Sequence, residues 1–407
     1  DRRGMHFHPL FQFQLLGLNG SFLTGDLFNL FVFFEVLLIA SYGLMLHGQG
    51  QQRLHAGVKY VVVNLVGSTL FLIAVGILYG VTGTLNMADM ALRVAEAPMG
   101  DQPLIRAGAQ LLIAVFALKA ALLPLHLWLP QTYASTSPAV AALFAILTKA
   151  GVYPIIRGTV LIFGADAGVA AFAPVGWMLP AAMLTILAGY VGVLAARNLR
   201  SLAAFGVIGS TGTLLVAVSL FTPEGIAAAL YYMPHSVLAG GLVFLVTDLV
   251  RRGRGDDEDH LRPGRPFARI GQVSVLFMLA AIALAGLPPL SGFVGKVLIL
   301  DASAGAALMP WIWAAVLGGT FFAILGLARA GSTLFWKAQG EPAEVPPTRH
   351  PFETAPAWFL LALVAGLTIF AGPMTDYAGE TTTQLFERTP YIEAVLGEAP
   401  RQAEGLR

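Results

Sequence analysis

Five ionisable side chains stand inside apolar runs of this sequence, where burying charge costs several kcal/mol and proton movement is the chemistry such groups serve. Glu35 lies in Phe31-Val32-Phe33-Phe34-Glu35-Val36-Leu37-Leu38, and its nearest polar neighbours along the chain are Asn29 and Ser41. Lys119 closes Val115-Phe116-Ala117-Leu118-Lys119, shortly before Pro124, a residue whose missing N–H leaves backbone carbonyls free to host a cation. Lys149 follows in Leu143-Phe144-Ala145-Ile146-Leu147-Thr148-Lys149, and Lys296 in Ser291-Gly292-Phe293-Val294-Gly295-Lys296. A buried carboxylate and a buried amine offset each other's desolvation when they meet across helices, so Glu35 and Lys119 are expected to pair. Desolvated lysines suit proton carriers better than fixed charges, which suits Lys149 and Lys296. His235, in Tyr231-Tyr232-Met233-Pro234-His235-Ser236, has two ring nitrogens with which to relay protons between them.

Each of the five also has a plainer reading. Glu35 and Lys119 could be a structural ion pair, Lys149 could satisfy carbonyls at a helix end, Lys296 could snorkel, and His235 could be a hydrogen-bonded core histidine beside Pro234. Lys59, His126 and Asp26 form an accessory set. Asp26, in Thr24-Gly25-Asp26-Leu27, reads foremost as a helix cap, and Lys59, following Arg53 and His55, as a snorkelling boundary residue. Asp248, just ahead of Arg251-Arg252, reads as a boundary residue, and His126 and Asn64 stay open.

The elements that must hold these residues follow from composition. Hydrophobic residues make up 57% of the chain and charged residues 12%, against about 25% charged in soluble domains, so the class is an all-α integral membrane protein. A net charge of +1, scattered between apolar runs, leaves no nucleic-acid footprint. The absence of cysteine excludes disulfides, thiolate metal sites, iron–sulfur clusters and cysteine nucleophiles. No catalytic residues, no cofactor and no metal site are expected on this chain, and any redox chemistry belongs to partners.

A helix needs about 20 apolar residues to cross the hydrocarbon core. About eleven segments qualify: Leu10–Leu23, Leu27–Leu46, Val58–Val81, Leu104–Leu123, Ala139–Phe163, Leu179–Leu194, Leu202–Leu220, Ile226–Val250, Val273–Leu300, Trp311–Leu334 and Trp358–Met374. The ninth contains Gly286-Leu287-Pro288-Pro289-Leu290-Ser291-Gly292, so it must be discontinuous. The stretch Pro124–Pro130 interrupts an earlier helix in the same manner, the pattern of an internally repeated transporter with two broken helices. Arginine and lysine concentrate after the second, sixth, eighth and tenth segments, which puts those loops in the cytoplasm. Arg251–Arg269, enclosing Asp256-Asp257-Glu258-Asp259, reads as a solvated cytoplasmic loop, and the segment after Met374 as a peripheral or disordered tail. The expected organisation is a transmembrane domain over 1–375 and an extramembrane tail over 376–407, with a start that suggests a piece of a longer protein.

Four stretches carry a family resemblance: Gly20 through Glu35 (GSFLTGDLFNLFVFFE), Lys119 through Pro130 (KAALLPLHLWLP), Ser137 through Tyr153 (SPAVAALFAILTKAGVY) and Gly286 through Lys296 (GLPPLSGFVGK). They resemble the proton-translocating antiporter-like subunits shared by respiratory complex I and Mrp-type monovalent cation/proton antiporters. The likeness spans about residues 5–375 and is strongest to the D-type subunits of the Mrp antiporters, on NGSFLTGDLFNLFVFFEVLLIASY and KYVVVNLVGSTLFLIAVGILYGVTGTLNMADMA. It implies fourteen spanning helices with two inverted five-helix bundles, so about three N-terminal helices would be absent here. It also implies that Glu35 pairs with Lys119, that Lys149 sits mid-channel and that Lys296 stands near the exit. Many relatives carry a lysine shortly after the histidine matching His235; here Leu238-Ala239-Gly240-Gly241 stand, and water or His235 has to bridge the gap.

The resemblance implies a subunit of a Na⁺ or other monovalent cation/proton antiporter in the bacterial inner membrane, working with other subunits of a membrane complex, protons, cations and the lipid bilayer. The alternative is the proton-pumping membrane subunit of an NADH–quinone oxidoreductase or membrane hydrogenase. A membrane scaffold that transports nothing is disfavoured by the cost of Glu35 and three buried lysines.

Overall fold

The computed structural model describes residues 6–48, 50–340 and 353–397, which form α-helices with only isolated bridges between extended residues. The first repeat comprises α1 (Phe7–Leu23), α2 (Leu27–Leu46), α3 (Gln51–Thr82), the short α4 (Met87–Ala95), α5 (Gln102–Lys119), α6 (Trp128–Ser135), α7 (Pro138–Phe144) and α8 (Leu147–Arg157). The second comprises α9 (Met178–Ala195), α10 (Leu199–Val218), α11 (Pro223–Arg254), α12 (Ile270–Ala285), α13 (Ser291–Ala302) and α14 (Met309–Gly331). Then follow α15 (Ala355–Ile369), α16 (Ala371–Phe386) and α17 (Arg388–Leu396).

With α5–α6, α7–α8 and α12–α13 each read as one interrupted span, each repeat crosses the membrane an odd number of times, so the second must run inverted to the first. Each of the eleven sequence segments falls on one of these helices or helix pairs. By length and apolarity alone, seven described helices qualify as spans, or eight if α15 and α16, bent by 75°, are taken together. The others fall short for visible reasons: α1 has 17 residues, α12 has 16, and α5 carries Arg106 and Gln110.

Polar side chains cap α2, α4, α10 and α11. Asp26 Oδ1 accepts from the Phe28 and Asn29 amides at 2.8 Å, Asn198 from Ser201 and Thr222 from Gly225. The centre is α10, which is buried along nearly its whole length from Leu202 to Val218. It is packed so closely on α9 that a Cβ on Gly189 would collide with the backbone of Gly209; such small residues let membrane helices approach.

Both proline breaks are real interruptions. The Leu123-Pro124 and Pro288-Pro289 peptides are cis, α5 ends at Lys119, and α12 ends at Ala285, capped by Gly286 with φ 71°. Two sequence expectations change. The run Arg251–Arg269 is not simply solvated: Asp259 is 0% exposed, accepts from the Arg200 amide (2.9 Å) and Arg200 Nε (3.0 Å), and so latches the loop to α10. Arg254 donates to the carbonyls of His260 (2.6 Å) and Arg262 (2.7 Å). The chain after Met374 is helical through Leu396, with α16 against α11 and α17 against α4. Arg157 donates to Tyr391 Oη at 2.7 Å, and Arg388 binds the Leu161 carbonyl and Asp166. Residues 398–407, also assigned to the tail, lie outside the described residues.

Candidate functional site

The ionisable groups picked out in the sequence, and the polar groups around them, lie on α2, α3, α5, α8, α10, α11, α13 and α14. Glu35, half-buried on α2, accepts a short hydrogen bond from the Ser68 hydroxyl of α3. Lys119, 5% exposed at the end of α5, has no hydrogen-bond partner among the described residues. Its Nζ lies 5.1 Å from the centroid of the Phe34 ring. The expected meeting of Glu35 and Lys119 is not a direct contact among the described residues; Ser68 and Phe34 take the contacts.

Lys149 is fully buried on α8. Its amine donates to Thr211 Oγ1 of α10 at 3.3 Å, and Thr211 in turn lies 3.2 Å from Thr148 Oγ1 and 2.8 Å from the Val207 carbonyl. One residue along α10, Ser210 bonds Ser236 of α11 at 2.6 Å and reaches Tyr232 Oη at 3.4 Å. His235, 1% exposed, places Nδ1 2.9 Å from the Ser291 hydroxyl at the first turn of α13, beyond the second break. Its ring stands 5.3 Å from that of Tyr232.

Lys296, 5% exposed on α13, reaches back across the break to donate to the Ala285 carbonyl (2.7 Å) and to Thr320 Oγ1 of α14 (2.6 Å). That carbonyl ends α12 and would otherwise be an orphan acceptor. The face of Tyr190 lies 5.4 Å from the same amine. None of the three lysines has a carboxylate within ion-pair distance among the described residues. Among the described residues, no three His, Asp or Glu side chains gather into a metal-binding set.

The accessory positions separate from this line. Asp26 is spent on the α2 cap, next to Asn86, which caps α4. Exposed Lys59 donates to Gln131 Oε1 at 3.1 Å, tying α3 to α6. His126 lies half-buried in the turn after Pro124 with Nδ1 unpartnered among the described residues. Asn64 is buried and donates to the Tyr60 carbonyl. Asp248 pairs with Arg252 at 2.5 Å, the boundary role expected of it.

The residues that sequence reasoning passed over are the hydroxyls: Ser68, Thr148, Ser210, Thr211, Ser236, Ser291 and Thr320. Ser210-Thr211-Gly212-Thr213, dense in hydroxyls within a spanning helix, was the available signal.

Comparison with known proteins agrees with this architecture. Residues 24–323 match the family model described as NADH:quinone oxidoreductase/Mrp antiporter, TM. The chain is 41% identical to the D subunit of a probable K(+)/H(+) antiporter of Rhizobium meliloti (strain 1021), covering 98% of this chain and 78% of that one. It is 39% identical to the D subunit of the Na(+)/H(+) antiporter of Bacillus subtilis (strain 168), covering 95% and 77%. Its fold matches a chain of the Mrp complex from Dietzia sp. DQ12-45-1b with a TM-score of 0.86 at 28% identity, over 96% of this chain and 80% of that one. A chain of the archaeal membrane-bound sulfane sulfur reductase matches with the same TM-score at 27% identity, over 95% and 77%. The chain is a multi-pass membrane protein of the NADH:quinone oxidoreductase/Mrp antiporter family, and within it belongs with the D-type antiporter subunits.

Proposed function

We propose that this chain is the proton-conducting subunit of a multi-subunit antiporter that exchanges a monovalent cation, Na⁺ in the first instance, for protons across a bacterial inner membrane. The observation that carries the reading is the company the buried lysines keep. Lys149 and Lys296 are held by hydroxyls and a carbonyl, without a carboxylate among the described residues to fix their charge. A structural buried lysine is expected to have such a counter-ion, because an unpaired buried charge is destabilising. A carrier must be able to gain and lose its proton in place.

The path proposed runs from Glu35 and Lys119 to Lys149, across the Thr211, Ser210 and Ser236 hydroxyls to His235, and through Ser291 to Lys296. A hydroxyl both donates and accepts, so these hydroxyls, with water between those not bonded to each other, can hand a proton on by a concerted shift in which each oxygen takes up one proton as it releases its own. This is how the α10–α11 contact serves where this chain carries Leu238-Ala239-Gly240-Gly241. The coupling between stations is electrostatic: a proton arriving near Glu35 and Lys119 alters the field at Lys149, and so onward. The transmembrane domain is taken as residues 1–375, with the remainder outside the translocation path.

Relatives named for K⁺ and for Na⁺ both resemble this chain, so the ion is settled by assay. Everted vesicles carrying the whole complex are energised, and exchange is compared for Na⁺, K⁺ and Li⁺. Glu35→Ala and Lys119→Ala are expected to reduce exchange at least tenfold with normal assembly. Unchanged exchange in both variants sinks the proposal. The fold shared with the sulfane sulfur reductase chain favours a second reading, a redox-driven pump subunit, in which exchange would require an electron donor. Exchange driven by a proton gradient alone excludes it.

A further inference from the structure

A groove of about 320 Å³ runs along the outside of the second repeat between α12 and α14, lined by Met278, Ala281, Ile282, Leu287, Ile324 and Ala328 among others. It is almost wholly apolar. One end lies at Ser274, Ser332 and Trp336, where α12 starts and α14 runs out, and Trp336 is 85% exposed there. The other lies at Ala285 and Leu287, on the break itself, and Ala285 supplies the carbonyl that holds Lys296.

Cations gather at the Trp336 end. The Phe335 ring lies against Phe277 (5.4 Å) and Phe267 (6.5 Å), and Gln339 N donates to the Gly264 carbonyl at 3.1 Å, so Lys337 is pinned beside the segment carrying Arg265 and Arg269. All three side chains are exposed and without a carboxylate partner among the described residues. The nearby Asp257 is already engaged by Arg262 (2.8 and 3.1 Å). These loops belong to the basic side of the molecule, and an exposed tryptophan at a helix end is the usual marker of the headgroup level.

We propose that this groove is a site for one anionic phospholipid: an acyl chain lies between α12 and α14, the phosphate faces Arg265, Arg269 and Lys337, and the chain end rests on the broken-helix turn behind Lys296. The shape and charge are complementary to that occupant. An acyl chain needs a narrow apolar slot open to the bilayer, and a basic cluster beside spanning helices on the cytoplasmic face attracts anionic headgroups. A partner helix would need no cations at the mouth. The bound lipid closes the outer side of the Ala285–Gly286 turn, so its presence stabilises the carbonyl seat of Lys296.

The test uses the assembled complex, purified in mild detergent and passed into nanodiscs of phosphatidylglycerol and phosphatidylcholine. Lipid retained after exchange is measured by native mass spectrometry. Arg265→Gln, Arg269→Gln and Lys337→Gln are each expected to lower the ratio of retained phosphatidylglycerol to phosphatidylcholine about fivefold. The Arg269→Lys variant keeps the ratio. Ala281→Phe, which fills the slot while leaving the cations, is expected to release the lipid whatever its headgroup. Unchanged retention in the triple glutamine variant overturns the proposal, as does cysteine crosslinking that finds a helix of a neighbouring subunit seated between positions 281 and 328. If Ala281→Phe does not assemble, the glutamine series decides the matter alone.

Discussion

Replacing Thr211 with valine isolates the first hydroxyl of the proposed α10–α11 bridge, because valine keeps the branched shape and deletes only the oxygen that Lys149 uses. Thr211 is fully buried, so no bulk water replaces the lost group. A hydrogen bond to a charged group contributes about 1.5–3 kcal/mol. The 3.3 Å separation is longer than the common 2.9–3.0 Å, which puts this bond near 1.5 kcal/mol. If the protonated amine of Lys149 lies on the transport path, losing that stabilisation raises the barrier by the same amount and slows exchange about tenfold. Thr211→Ser retains the oxygen and should stay within about threefold of the parent. Initial rates of cation-induced pH change in everted vesicles, normalised to assembled complex by immunoblot, provide the measurement. The reasoning fails if Thr211→Val exchanges within twofold of the parent, or if Thr211→Ser falls as far as valine, which would make the site one of packing.

Further outcomes follow from other contacts. Lys296→Met is expected to abolish exchange while the complex still assembles, and Thr320→Val, which deletes a shorter bond than that of Thr211 but leaves the Ala285 carbonyl in place, to slow it by about tenfold or more in the same assay. Asp259→Ala should destabilise the fold by about 3 kcal/mol, since it leaves the Arg200 guanidinium, 19% exposed, with only Glu258; an unchanged melting midpoint of the solubilised complex would refute the latch. Asp26→Ala should cost about 1 kcal/mol of stability through the lost α2 cap, with the exchange rate per assembled complex within twofold of the parent. A larger fall in rate would move Asp26 into the proton path.

How far the sequence foretold these features depends on what carries the signal. Apolar length is a strong one, and each of the eleven runs lies on a helix or an interrupted pair. Proline is a less certain one: Pro124, Pro288 and Pro289 mark both breaks, while Pro154 and Pro234 sit inside α8 and α11 without ending them. Partners across helices leave no such trace. Glu35 and Lys119 are each conspicuous, yet the group that bonds Glu35 is Ser68 on α3, a residue common in any helix. Ser210, Thr211 and Ser236 are weakly polar, cost little in a membrane helix and follow no period, so their convergence depends on the close approach of α9, α10 and α11. Asp259 was hidden by its neighbours: within Asp256-Asp257-Glu258-Asp259 nothing singles out the one carboxylate that turns inward to cap α10. The packing of α16 and α17 rests on Arg157 and Tyr391, which lie 234 positions apart.

The two breaks show why an inverted repeat need not hold its lysines alike. Lys296 follows its break and turns back to the carbonyl that the break exposes, adding a hydroxyl from α14, so a proton on it rests on two oxygens. Lys119 precedes its break as the last residue of α5, with no oxygen on its amine among the described residues and the Phe34 face beside it. Seating Lys119 on an oxygen requires the amine to move or Glu35 to leave Ser68, and either step changes the field felt at Lys149. Two identical cages would give no such asymmetry. In the proposed relay, Lys119 is the loosely held station at the first break and Lys296 the firmly held one at the second.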